Sequence, residues 1–259
     1  MSQYKDSITG QIVANLKVYN NKLLDLSPCK IVANSTQFDS LIKGEGKFTN
    51  DSAFYLAGSN SKTGPENNMY LCKILDNAST KFTISFWLKR INSGDGYSAT
   101  GGINWCDQNF HYTCCLYFNF NNGNHWLSTQ LSNGSWPTAS SRNYTFNNNT
   151  YYHIGFTYDS SIGAKIYING TLHNTYTTAT SLSSSLSKYI RLRLFDSKGI
   201  NTYIDDYVVI ADQVLWNDNF TVPNYYLLGD VEIPDKIKKS DTVFPTMYAG
   251  DEFEQIFLY

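Results

Sequence analysis

Tyr151 to Tyr176 reads YYHIGFTYDSSIGAKIYINGTLHNTY. Tyr152, Ile154, Phe156 and Tyr158 alternate with His153, Gly155 and Thr157, the period-two pattern of a half-buried strand. The polar turn DSSIG follows and closes on Gly163, after which Ala164, Ile166 and Ile168 alternate with Lys165 and Tyr167. Asn169-Gly170 is a strong hairpin signal, because a type I′ turn needs positive φ at both central residues. Leu172 to Tyr176 returns as a third strand. The stretch is predicted to be a three-stranded meander, and it contains neither a nucleophile elbow nor a phosphate loop.

Similar short runs extend in both directions. KIVANST, SAFYLAG, YIRLRLF and TYIDDYVVIA each have strand length, and CCLYFNF and HWLSTQL flank the polar turn NNGN as a second hairpin. KFTISFWLKR is the clearest: Phe82, Ile84, Phe86 and Leu88 point one way, and Thr83, Ser85, Trp87 and Lys89 the other. Short strands separated by turn signals predict an all-β sandwich or jelly roll rather than alternating strands and helices. The 259 residues are 42% hydrophobic, 15% aromatic and 16% charged, enough apolar material for a core and too little charge for a disordered chain. The net charge of -2 gives no electrostatic attraction to nucleic acid or to an anionic membrane. The opening MSQYKDSITG has no apolar stretch of the signal-peptide kind, and no run is long enough to span a bilayer. Residues 1–22 are expected as an amino-terminal arm with a short amphipathic turn around QIVANLKVY, 23–229 as the sandwich, and 230–259 as a carboxy-terminal docking extension.

Three segments in order resemble the laminin G-like, concanavalin A-like family of jelly rolls: SAFYLAG with KFTISFWLKR, then residues 151–176, then YIDDYVVIADQVLWNDNFTVP. Family members carry an F-T-[IV]-S-[FW]-W strand, a W/Y-x-H-[IV] strand leading to a K-[IL]-Y-[IV]-N-G hairpin, and an I-D-[DE] strand followed by a short L-W turn. The resemblance spans roughly Leu24 to Leu227 and implies a two-sheet antiparallel jelly roll. It constrains function less, since lectins, adhesion modules, glycosidases and virion proteins share the fold. The ending VLWNDNFTVPNYYL is similar to versions in bacteriophage structural proteins, where the jelly roll decorates tails, fibres or capsids.

Glycosidases need two carboxylates across the scissile bond, and members of this family that hydrolyse sugars show an E-x-D-x-x-E strand. That triplet does not occur, and DEFE at Asp251 to Glu254 has the wrong spacing. Asp205 and Asp206 are adjacent, so a regular strand would turn them to opposite faces; they are expected to cap a turn or to hydrogen-bond, with calcium as the alternative, which would need further oxygens. Cys106, His111, Cys114 and Cys115 are zinc-ligand types without C-x-x-C spacing. The plainer expectation is buried thiols in two strands, and a Cys106–Cys114 disulfide does not suit a reducing cytoplasm. A Cys–His nucleophile would need His111, His125, His153 or His173 brought to a thiol; His153, opposite the apolar face of its strand, is expected to be solvent-facing or hydrogen-bonded. Trp105, Trp126 and Trp136 lie in or beside polar loops. There they would either stack on sugar rings or cover the sandwich edge or a subunit contact.

The expected function is a non-enzymatic module of a phage particle, in a tail, fibre or capsid-surface protein, made in the host cytoplasm and used for attachment. Its partners would be other virion proteins or copies of itself, with a host-surface glycan as ligand and no cofactor beyond the candidate calcium. A free lectin-like module and a glycoside hydrolase are the alternatives. Phe253, Ile256, Phe257 and Leu258 in the closing FEQIFLY are worth about 1.5–3 kcal/mol each on burial, so this end is expected to dock on a partner.

Overall fold

The structure, a computed structural model, describes residues 4–19, 22–29, 31–34, 42–48, 53–56, 69–76, 79–91, 105–106, 112–121, 124–131, 144–176, 189–195 and 202–229. Fifteen strands are described: β1 Gln11–Tyr19, β2 Lys22–Asp25, β3 Ile31–Asn34, β4 Ile42–Gly44, β5 Ala53–Leu56, β6 Met69–Ile74, β7 Lys81–Arg90, β8 Trp105–Cys106, β9 Tyr112–Asn121, β10 Asn124–Leu131, β11 Tyr151–Asp159, β12 Gly163–Ile168, β13 Thr171–Tyr176, β14 Tyr189–Phe195 and β15 Thr202–Ala211. The one helical element among the described residues is a 3-10 turn, Lys5–Ser7.

The main sheet has nine strands in the order β13-β12-β11-β7-β15-β1-β2, with β5 added to β15 and β4 to β5. Two three-stranded sheets, β10-β9-β8 and β14-β6-β3, complete the two-sheet antiparallel jelly roll, and β8 touches β14. The meander of residues 151–176 forms as its sequence predicts. Ile154 pairs with Ile168 in β12, and Ile168 pairs with Thr171 in β13. Asn169 and Gly170 both take positive φ, 49° and 75°, the type I′ signature.

The register sorts side chains onto two faces. Phe82, Ile84, Phe86 and Leu88 share the inner face with Ile154, Phe156, Ile204 and Val209, and all are buried. Thr83, Ser85, Trp87 and Lys89 share the outer face with Thr157, Gly155, His153 and Tyr151 of β11. The alternation is as expected, but the outer residues of β7 are buried as well. A second layer covers them.

The expected amino-terminal arm is corrected by this topology. QIVANLKVY is β1, a strand inside the sheet between β15 and β2. Val13, Ala14 and Leu16 are buried, as are Asn15 and Lys17, so both faces are covered. Polar residues on the outer face gave the strand its helix-like mixture.

Candidate functional site

The second layer on the outer face is a strap, residues 212–229, which follows β15 and runs back across β7, β11 and β12. It is fixed by backbone and side-chain bonds. The Thr83 hydroxyl donates to the Gln213 carbonyl, 2.8 Å, and accepts from the Leu215 N–H, 2.8 Å. The Phe220 N–H donates to the Gly170 carbonyl, 2.9 Å. Trp216 and Phe220 stack with centroids 4.0 Å apart and planes 7° from parallel. Gly155 lies beneath that stack: a Cβ there would sit 3.0 Å from the Trp216 ring and 3.3 Å from Phe220. Residues 4–10 clasp the strap from above. Tyr4 donates to the Thr221 carbonyl, and Gln213 Oε1 accepts from the Thr9 and Gly10 N–H groups at 2.9 and 3.0 Å.

His153 is wholly buried under the strap, edge-on to Trp87 and Trp216. The solvent-facing alternative is thereby overturned, and the hydrogen-bonded one holds. Its Nε2 lies 3.0 Å from Ser85 Oγ. Burial lowers its pKa to about 3, so the ring is neutral at ordinary pH. Ser and His at that distance have the makings of a nucleophile and base. Yet among the described residues Nδ1 has no hydrogen-bond partner to orient it, and indole rings seal the pair. This is a buried hydrogen bond that helps hold the strands together.

Asp205 and Asp206 do not obey strand alternation. β15 bulges between Asp205 and Val208, and Asp206 takes φ 50°, which spoils the two-residue period. Both carboxylates consequently meet partners on the outer side. Asp206 Oδ1 accepts from Lys17 Nζ at 2.6 Å, and Oδ2 from the Leu227 N–H at 2.7 Å. Asp205 Oδ1 accepts from the Asp206 N–H at 2.8 Å, and Oδ2 from the Lys47 N–H at 2.7 Å. Every oxygen of the pair is committed to the protein, and no third acidic ligand joins them among the described residues. The arrangement is a fastener for the strap and the 45–48 loop, and it does not fit calcium, which needs several free oxygens.

Beyond the fastener the outer face is only partly covered among the described residues, where two half-buried tyrosines flank a buried lysine. One row across three strands reads Tyr151 of β11, Lys89 of β7 and Tyr203 of β15. Lys89 Nζ lies 4.8 Å from the Tyr151 ring centroid and 4.9 Å from that of Tyr203, within cation–π range. The same ammonium is 3.2 Å from Glu45, whose side chain is 81% exposed. Tyr151 donates to the Glu45 carbonyl and anchors the loop. Burial, with the nearby Asp205 charge, pushes the Tyr151 hydroxyl pKa well up, so it stays a donor. Phe48 packs against Trp87, Tyr225 and Tyr226 at centroid distances of 5.6, 5.7 and 5.1 Å. Tyr151, Tyr203, Phe48 and Tyr225 are each half-buried. The result is a half-buried aromatic surface with Lys47 and Glu45 exposed at its rim and Lys89 buried beneath it.

Residues 63–209 match the family model of the concanavalin A-like lectin/glucanases superfamily, laminin G type. The chain belongs to this superfamily. Among solved structures it is similar to the ligand-binding domain of botulinum neurotoxin serotype D in complex with N-acetylneuraminic acid, at TM-score 0.52 and 18% identity, over 82% of this chain and 50% of that one. The serotype G binding domain has TM-score 0.52 and 18% identity, over 79% of this chain and 48% of that one. This laminin G-like chain thus spans about half the length of these relatives, and at such identity the likeness shows the fold. Comparison with curated proteins gives no match.

The other residues singled out by sequence fall differently. Trp105 is on β8, opposite Cys114, and Trp126 is on β10, opposite Asn119; their side chains lie outside the described residues, as does Trp136. Cys106 is set opposite Tyr112, and the side chains of Cys106, His111, Cys114 and Cys115 are also outside the description. Phe253, Ile256, Phe257 and Leu258 lie outside it too. The open row was missed in the sequence. Tyr151 and Tyr203 read there as ordinary strand residues, and only the register brings them to either side of Lys89.

Proposed function

We propose that this laminin G-like chain is a non-enzymatic attachment module that binds carbohydrate on a host surface as part of a phage particle. The observation that carries the reading is the open aromatic row Tyr151–Lys89–Tyr203 beside Glu45. Sugar rings stack on aromatic faces, and lysine and carboxylate groups supply donors and acceptors for hydroxyls. The E-x-D-x-x-E triplet of the family's hydrolases does not occur, and the adjacent carboxylates Asp205 and Asp206 are spent on holding loops. A structural relative was solved with N-acetylneuraminic acid, which supports sugar binding as a use of such domains. Only 50% of that chain is matched, so its sugar site is not carried over. Trp105, Trp126 and Trp136 would offer a second glycan contact. The similarity of residues 214–227 to phage structural proteins supports the virion setting, with residues 230–259 docking on a neighbouring virion protein or another copy.

Binding of the purified chain to host-cell polysaccharide, measured by titration calorimetry, tests the reading. Binding should weaken at least tenfold in Tyr203→Ala, with no reducing sugar released by the unmodified chain. Steady sugar release, abolished by changing one carboxylate, would instead establish a hydrolase. Truncation after Gly229 should leave the melting temperature unchanged and abolish incorporation into particles.

A further inference from the structure

We infer that the saccharide bound at the open row carries a single anionic group, a carboxylate or a sulfate, received by Lys47; this rests on the carbohydrate-binding reading above. Three lysines approach this end of the sheet, and two are neutralised. Lys17 is paired with Asp206 at 2.6 Å, and Lys89 with Glu45 at 3.2 Å. Lys47 is exposed and has no carboxylate within ion-pair distance among the described residues. Its position is nevertheless fixed. Its own N–H is bonded to Asp205, and its ammonium lies 4.6 Å from the centroid of the buried Trp87 ring. The next residue, Phe48, is wedged among Trp87, Tyr225 and Tyr226. A free cation is therefore held at the rim of an aromatic surface rather than waving from a loop tip.

The surroundings narrow the ligand. Half-buried Phe48 and Tyr225 offer apolar faces that a bare inorganic anion would leave unused. The exposed Glu45 carboxylate repels a polyanion such as nucleic acid, but it accepts hydrogen bonds from hydroxyls. One cation, one carboxylate and several aromatic faces fit one acidic sugar unit: the ring on the aromatics, its hydroxyls toward Glu45, and its anionic group on Lys47. A charge-assisted bond of this kind is roughly twice as strong as a neutral one.

The test is titration with matched saccharides, in which a neutral hexose oligosaccharide is compared with its uronic-acid and its 6-sulfate counterparts. The unmodified chain should bind one acidic form about tenfold more tightly than the neutral form, the order expected for one charged contact. The carboxylate and sulfate arms tell which anion is preferred. Lys47→Gln should lower the ratio of acidic to neutral affinity to about one. Raising the salt concentration should weaken only the acidic ligand in the unmodified chain, a readout that does not depend on any variant folding. If neutral and acidic forms bind alike, or if Lys47→Gln keeps the preference, the inference falls and the carbohydrate reading stands. If no saccharide binds at all, both fall.

Discussion

The two ends of the main sheet's outer face are built from the same three strands and finished in opposite ways. At the strapped end the outward residues are small or apolar: Gly155, Ser85 and Val208 in one row, Thr157, Thr83 and Ile210 in the next. They leave room for Trp216 and Phe220 to lie flat. At the open end the row is Tyr151, Lys89 and Tyr203, long side chains with apolar bodies and polar tips. Such residues cover a sheet face themselves, and here their tips are tied to the 45–48 loop: Lys89 pairs with Glu45 and Tyr151 donates to the Glu45 carbonyl. The difference teaches that an outward-facing strand residue reports what lies above it. Small residues there predict a covering segment, and amphipathic ones predict a surface left for something else.

The contrast can be broken most forcefully by removing the cover. Trp216→Ala should cost about 3–5 kcal/mol, the usual loss for a buried large aromatic, read as a drop in the denaturation midpoint; a loss below 1 kcal/mol would mean that the strap is dispensable. Filling the gap beneath it is the next test. Gly155→Val should destabilise by about 1–3 kcal/mol through overpacking against the Trp216–Phe220 stack, and a neutral result would mean that the strap yields.

Acid probes the same end. His153 is held neutral by burial, with its pKa lowered from 6.5 to about 3. Above pH 6.5 neither folded nor unfolded chain carries that proton, and stability does not depend on it. Below pH 6.5 the unfolded chain binds the proton and the folded chain does not, so stability falls as pH drops toward 3. The slope approaches about 1.4 kcal/mol per pH unit. Burial opposes ionisation of Asp159, but bonds from Ser161 and Lys81 outweigh it and lower its pKa. That contribution is lost only in stronger acid, below the ordinary aspartate range. Denaturation midpoints between pH 6.5 and 4.5 should therefore separate His153→Gln, with a flatter profile, from the unmodified chain. The smallest effect on stability is expected at the open end. Tyr203→Ala should change it by less than about 1 kcal/mol, measured by thermal melting, while carbohydrate binding falls. A large loss of stability would make the row part of the core and end its candidacy as a site.

Much of the fold was legible. The meander of residues 151–176, both hairpins and the alternation in KFTISFWLKR follow from period-two patterning and turn chemistry, which are local. β1 was not, because a strand covered on both faces, with Asn15 and Lys17 buried by distant partners, loses its alternation. The Asp205–Asp206 pair was legible as a hydrogen-bonding feature. Its geometry was not, since one positive φ at Asp206 overrides the parity rule. Nor was the open row legible: Tyr151, Lys89 and Tyr203 stand 62 and 114 residues apart, and strand pairing alone makes them neighbours.

The bulge at Asp205–Asp206 also decides how the domain would carry mechanical load. On one edge β15 stays with β7 on both sides of the bulge. On the other it pairs with β5 over Thr202–Ile204 and with β1 from Tyr207 to Ala211. The chain enters β1 beside Ala211, at one end of the ladder, while the strap leaves past Leu227, tied to Asp206 at the other end. Tension between residues 10 and 229 therefore runs along the strands. While that tie holds, the β1–β15 hydrogen bonds are strained together, in shear; once it breaks, the load falls on Gln11 and Ala211, neighbours at one end of the ladder, and the bonds open one by one. The buried Lys17–Asp206 pair sits at the far end of that shear plane, where slippage of one strand past the other would have to begin.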